Sequence, residues 1–121
     1  MTEKPSSKPV YDLEERTFIF AKDVRFFVKT LPFSMANEED GRQLIKASGS
    51  VGANYREANE SLSKKDFLMR VKISRKEAKE SGYWLRLIHE TNSINNKEAL
   101  KLYKESIELK KILSSIIEKS K

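Results

Sequence analysis

Residues 48–59, SGSVGANYREAN, hold two of the chain's four glycines. They include a literal G-x-x-G, Gly49-Ser50-Val51-Gly52. A phosphate-clamping G-x-x-G of the KH type is a loop and needs strands beside it. Here Leu44, Ala47, Ser48, Val51, Tyr55, Ala58 and Leu62 share one helical face at three- to four-residue spacing, straight through the glycines. Two mid-helix glycines cost about 1 kcal/mol each relative to alanine. An uninterrupted helix therefore needs a compensating gain. Gly49 and Gly52 lie one turn apart on a flank of the core face, which predicts close helix–helix packing around Trp84 or a neighbouring subunit's aromatic ring. Contact with a ligand is the competing reading.

The pattern extends in both directions. A first helix is expected from about Asp12 to Leu31, where Pro32 stops it. Leu13, Phe20, Val24, Phe27, Val28 and Leu31 fall within an arc of about 100° and form its core face. Phe18, Ile19 and Phe26 lie well away from that arc, which points to a subunit contact or to a broad core stripe. The second helix opens near Met35–Glu38, with Glu38, Glu39 and Asp40 complementing its dipole. Ser63-Lys64-Lys65-Asp66 reads as an N-cap with a capping-box variant, opening a third helix that reaches about Thr91. The polar turn TNSINNKE precedes a fourth helix from Asn96 to about Lys119, with Ala99, Leu102, Tyr103, Leu109, Leu113, Ile116 and Ile117 as its apolar positions. No strand-period alternation occurs. The expected fold is all-α, an antiparallel up-down four-helix bundle over residues 11–121 preceded by a flexible arm over 1–10.

A chain of 121 residues has room for one domain. It has no cysteine, which excludes disulfides and thiolate metal sites. The N-terminus lacks a signal peptide's apolar stretch, so a cytoplasmic, soluble protein with no membrane partner is expected. The net charge is +6, placed unevenly. Residues 1–63 carry nine Lys/Arg against ten Asp/Glu, 64–96 eight against four, and 97–121 seven against four. A basic balance of this kind suits a polyanionic partner, although many basic proteins have none.

Catalytic motifs are missing from the sequence. The lone histidine, His89, follows Arg86 at the spacing where a di-iron bundle needs glutamate. No Walker or Rossmann glycine pattern occurs, and no strand-to-helix elbow presents a serine. No enzyme, no metal and no cofactor is expected, and His89 is read as a helix C-terminal residue favoured by the dipole.

The third helix carries a sharper signal. Its core face is Phe67, Val71, Ser74, Ala78, Ser81, Leu85 and Ile88. Lys65, Lys72, Arg75, Lys76, Lys79 and Arg86 fall within a separate arc of about 100°, joined by Tyr83 and, in this reading, by no acid. Such a stripe can track a phosphate backbone while Tyr83 stacks on a base. The plain alternative is a solvated lysine face, which normally intersperses glutamates. Glu77 and Glu80 project on another flank beside Met69, Ile73, Trp84 and Leu87. With Asn54, Arg56, Glu57 and Arg70 they are expected to form a polar network that fixes helix register or a subunit contact; paired carboxylates for acid–base work are the other reading.

Residues 48–88 closely resemble the family of four-helix-bundle proteins related to the 23S rRNA intervening-sequence protein. The resemblance rests on S-V-G-A-N-Y-x-E-A at Ser50–Ala58, K-D-F at Lys65–Phe67, K-E-A-x-E at Lys76–Glu80 and Y-W-L-R-L at Tyr83–Leu87. It implies an antiparallel bundle that assembles into a homopentamer. It also implies similarity to the accessory variability proteins of diversity-generating retroelements, basic pentamers that bind nucleic acid and associate with a reverse transcriptase. No catalytic residues come with the family. The partners implied are the chain itself, RNA or DNA, and a reverse transcriptase or another nucleic-acid enzyme. Phe18, Ile19, Phe26, Gly49 and Gly52 then become the candidate oligomer interface.

Two functions follow as expectations. The first is a non-enzymatic, homo-oligomeric protein or adaptor that binds nucleic acid by backbone electrostatics through Lys65, Lys72, Arg75, Lys76, Lys79 and Arg86, with Tyr83 available to stack on a base and little base specificity. The second is a protein–protein scaffold with no nucleic-acid role, its affinity carried by Phe18, Ile19 and Phe26.

Overall fold

The computed structural model describes residues 13–93 and 96–121, apart from the Asn96 side chain. The expected arm over 1–10, the start at Asp12 and part of the TNSINNKE turn lie outside them. The described residues form four α-helices: α1 Leu13–Lys29, α2 Met35–Asn59, α3 Lys64–Thr91 and α4 Asn96–Lys119.

Local chemistry sets the boundaries. The α1 helix ends two residues before the expected Leu31, because a residue preceding proline is steered out of the helical region. Its last turn tightens through Thr30 N–H to Phe27 O at 3.0 Å and Leu31 N–H to Val28 O at 3.2 Å. Ser34 caps α2, its hydroxyl oxygen accepting from Asn37 N–H at 3.0 Å. Ser63 caps α3 by accepting from Asp66 N–H at 3.1 Å, as the sequence predicts. The α2 helix stops at Asn59, so Leu62 falls in the turn and is 99% exposed. Its placement on the α2 core face is thereby corrected.

The helices pack in chain order. The α2–α3 and α3–α4 contacts are extensive, α1 leans chiefly on α2, and its contact with α4 is sparse. Numbering rises along α2 while it falls along α3: Asn37 meets Asn92, Val51 meets Ser74, and Asn54 meets Arg70. The core takes Leu13, Phe20, Val24 and Phe27 from α1, Leu44, Val51 and Tyr55 from α2, Val71, Leu85 and Ile88 from α3, and Leu102, Leu109, Leu113 and Ile117 from α4. Buried hydroxyls are satisfied by helix carbonyls. Ser74 donates across to Val51 O at 2.7 Å and so ties α3 to α2.

One end of the α2–α3 pair is fixed by two amides. Asn37 Nδ2 donates to Asn92 Oδ1 at 2.8 Å, and Asn92 Nδ2 donates to Asn37 Oδ1 at 2.9 Å. Asn37 also donates to Pro32 O at 2.9 Å and Asn92 to Ile88 O at 3.0 Å, so the pair also closes off the end of α3. Asn37 is buried. Truncating Asn37 to alanine removes three hydrogen bonds, two of them to Asn92, and is expected to cost about 2 kcal/mol, read as a lowered urea midpoint with an unchanged slope.

Gly52 explains the close approach of α1 and α2. A Cβ there would lie 2.9 Å from Thr17 Oγ1 and 3.2 Å from Thr17 Cβ. At Gly49 a Cβ would meet the tip of Arg25 at 3.2 Å. Within the chain the G-x-x-G packs against α1 and not against Trp84. Gly52 is buried inside the chain, whereas Gly49 is half-exposed.

Candidate functional site

The α3 helix is 28 residues long and exposed along one side. Lys65, Lys72, Lys76, Lys79 and Arg86 are exposed on that side, over about 30 Å of helix at 1.5 Å per residue. Arg75 differs: it is half-buried and its guanidinium donates to Ser114 of α4 at 3.4 Å. Lys65, Lys72 and Lys76 border a shallow hollow of about 510 Å³ floored by Leu68, Met69 and Ile73. Tyr83 is 60% exposed, and its ring meets Trp84 edge-on at 5.0 Å.

The stripe is not free of acids. Glu90 continues it by one turn, and Arg86 Nε donates to Glu90 Oε2 at 3.0 Å. That hydrogen bond, reinforced by the carboxylate charge, holds the Arg86 guanidinium above its ordinary pKa. Four residues is the spacing at which helical side chains meet, so the sequence did carry this pair.

The stripe also extends onto a second helix, which the sequence reading missed. A cleft of about 260 Å³ lies between α3 and α4, with Lys79, Tyr83 and Arg86 on one wall and Tyr103, Ile107 and Lys110 on the other. The available signal was Gly82. A Cβ there would come within 2.9 Å of Ser106 Oγ and 3.8 Å of Tyr103 Cε1, so glycine sets the α3–α4 separation and thereby the cleft. The α4 positions follow at helical spacing from Ser106.

The expected polar network forms only in part. Arg70 Nη1 donates to Asn54 Oδ1 at 3.0 Å, and Asn54 Nδ2 donates to Ser50 O and Oγ, each at 2.9 Å. Arg70 is thus engaged with α2 and not with Glu77. Arg56 faces α1, 4.0 Å from Glu14. Among the described residues, Glu57, Glu77 and Glu80 join no ion pair with either arginine. Partly buried Trp84 keeps an indole N–H with no hydrogen-bond partner among them. His89 is half-buried near the end of α3. No group of three or more His, Cys, Asp or Glu among the described residues could hold a metal ion.

A second exposed surface belongs to α1. Phe18, Ile19 and Phe26 are 55%, 41% and 57% exposed, outside the core as their wheel positions imply. Beside them the sparse α1–α4 contact leaves a groove of about 900 Å³ lined by Ile19, Phe20, Leu100 and Leu102, with charged residues at its rim. Arg16 bridges this groove, donating to both oxygens of Glu105 at 2.7 and 2.9 Å. The paired hydrogen bonds raise the Arg16 pKa and give α1 a fixed register on α4. No helix among the described residues is long and apolar enough to cross a membrane.

Comparison with known proteins agrees with this arrangement. The chain is 31% identical to a protein of unknown function from the S23 ribosomal protein family of Bacteroides thetaiotaomicron, whose crystal structure superposes with a TM-score of 0.74. The match covers 86% of this chain and 96% of that one. No curated protein matches the sequence. Residues 11–115 match the description of the 23S rRNA-intervening sequence protein family. With that match running from the start of α1 into the last turns of α4, the chain belongs to the 23S rRNA-intervening sequence protein family.

Proposed function

We propose that this protein is a non-enzymatic nucleic-acid-binding protein or adaptor, an antiparallel four-helix bundle that works as a homopentamer. The observation that carries the reading is the joint basic surface of α3 and α4, where Lys79, Arg86 and Lys110 line one cleft at the end of the exposed Lys65, Lys72 and Lys76 row. Cations in a line at helical rise suit the regular charge of a phosphate backbone. Five copies at +6 each would carry about +30, enough to concentrate a polyanion at the surface. The exposed Phe18, Ile19 and Phe26 suit the contact between copies. A reverse transcriptase or another nucleic-acid enzyme is the partner that an adaptor of this kind would serve.

Binding by backbone charge weakens steeply with salt. Titrating a labelled single strand across a salt series is expected to give a log–log slope of about −0.7 for each neutralised phosphate. A flat response overturns the reading and favours a protein scaffold held together through the α1 aromatics.

Glu90 is the internal competitor for this ligand. Replacing Glu90 with glutamine frees Arg86 and is expected to tighten binding and steepen the salt slope by about one phosphate contact. The lost i,i+4 pair is exposed and screened by solvent, so the melting temperature is expected barely to move.

A further inference from the structure

We infer that the α3–α4 cleft is a base-binding subsite, so that the ligand is single-stranded and places one unstacked base between Tyr83 and Tyr103. This deepens the nucleic-acid reading and rests on it. A row of lysines alone would serve a duplex as well as a single strand, because both present phosphates. The cleft adds what phosphates do not use: two phenol rings and the apolar side chain of Ile107.

The cleft is built, not incidental. Gly82 and Ser106 bring the two backbones close, and the larger Tyr83 and Tyr103 stand at its sides. Tyr83 is pinned edge-on against Trp84 at an interplanar angle of 82°, so its ring is oriented before any ligand arrives. No carboxylate lines the cleft, and Lys79, Arg86 and Lys110 surround it. A base held between the tyrosines would therefore carry its flanking phosphates towards cations. At about 260 Å³ the space is just below the range of about 300–1,000 Å³ typical of drug-sized ligands, which suits one base and not a stack of them. A duplex hides the faces of its bases, whereas every base of a single strand offers one.

The test separates the base from the phosphates. Fluorescence anisotropy would compare an oligothymidylate of about 15 nucleotides with an abasic sugar–phosphate strand of equal length and charge, at one salt concentration. Wild type is expected to bind the thymidine strand about tenfold more tightly. Tyr83→Leu, a change at an exposed ring, is expected to abolish that preference while leaving abasic binding unchanged. Lys110→Glu is expected to weaken both strands. Equal binding of the two strands by wild type overturns the subsite and leaves the phosphate reading standing. Retention of the preference by Tyr83→Leu also overturns it. Binding of neither strand overturns both.

Discussion

Reversing Lys72, Lys76 and Lys79 to glutamate together is expected to weaken single-strand binding at least a hundredfold and to remove two to three units from the salt slope. The size follows from counting contacts. Each lost charge-assisted phosphate contact is worth about 1 kcal/mol or more, and each introduced carboxylate repels the phosphate that the lysine attracted. Three such losses exceed the roughly 2.7 kcal/mol that a hundredfold change requires. The three lysines are exposed, so the bundle should tolerate the change. Arg75 is left alone because its guanidinium reaches Ser114, and Arg86 because Glu90 already engages it. Elution volume and helical circular dichroism, unchanged from wild type, would show that assembly and fold persist. Equal binding by variant and wild type would remove α3 from the interface and turn attention to α1.

The helices were legible because their signals are local. Ser63 followed three residues later by Asp66 gave the α3 start, and the 3.6-residue period through Gly49 and Gly52 identified α2 as continuous. The exposure of Phe18, Ile19 and Phe26 was legible for the same reason, since one helix can direct only one face at a core. Pairing between helices was harder. Arg56 lies within reach of both α1 and α3 on a wheel, and only the packing decides that it faces Glu14. Leu62 has the right period for the α2 core, but the helix ends three residues earlier. The contribution of α4 to the basic surface was hidden because charge arcs were read one helix at a time. Lys110 joins Lys79 and Arg86 only through the inter-helix geometry that Gly82 permits.

The same geometry gives the two glycines of the G-x-x-G opposite responses to alanine. Alanine at either position gains about 1 kcal/mol of helix propensity. At Gly49 the new methyl meets only the Nη2 end of Arg25, an exposed side chain whose other nitrogen donates to Ala21 O at 2.9 Å. That tip can swing into solvent, so Gly49→Ala is expected to stabilise by about 0.5–1 kcal/mol. At Gly52 the methyl meets Thr17, which is fully buried and whose hydroxyl donates to Glu14 O at 3.0 Å. Neither Oγ1 at 2.9 Å nor Cβ at 3.2 Å can retreat without moving α1. Overpacking of this kind costs about 1–3 kcal/mol, which outweighs the propensity gain. Gly52→Ala is expected to destabilise by up to about 2 kcal/mol and Gly52→Val by about 3 kcal/mol or more, at about 4 °C of melting temperature per kcal/mol for a chain of this size. Thr17→Ala in the Gly52→Ala background removes the closest contact, and a coupling of about 1 kcal/mol in that cycle would locate the strain between these two residues. Equal stabilisation at both glycines would mean that α1 does not hold to α2 through Thr17, and that the close approach which makes a glycine necessary at position 52 is absent.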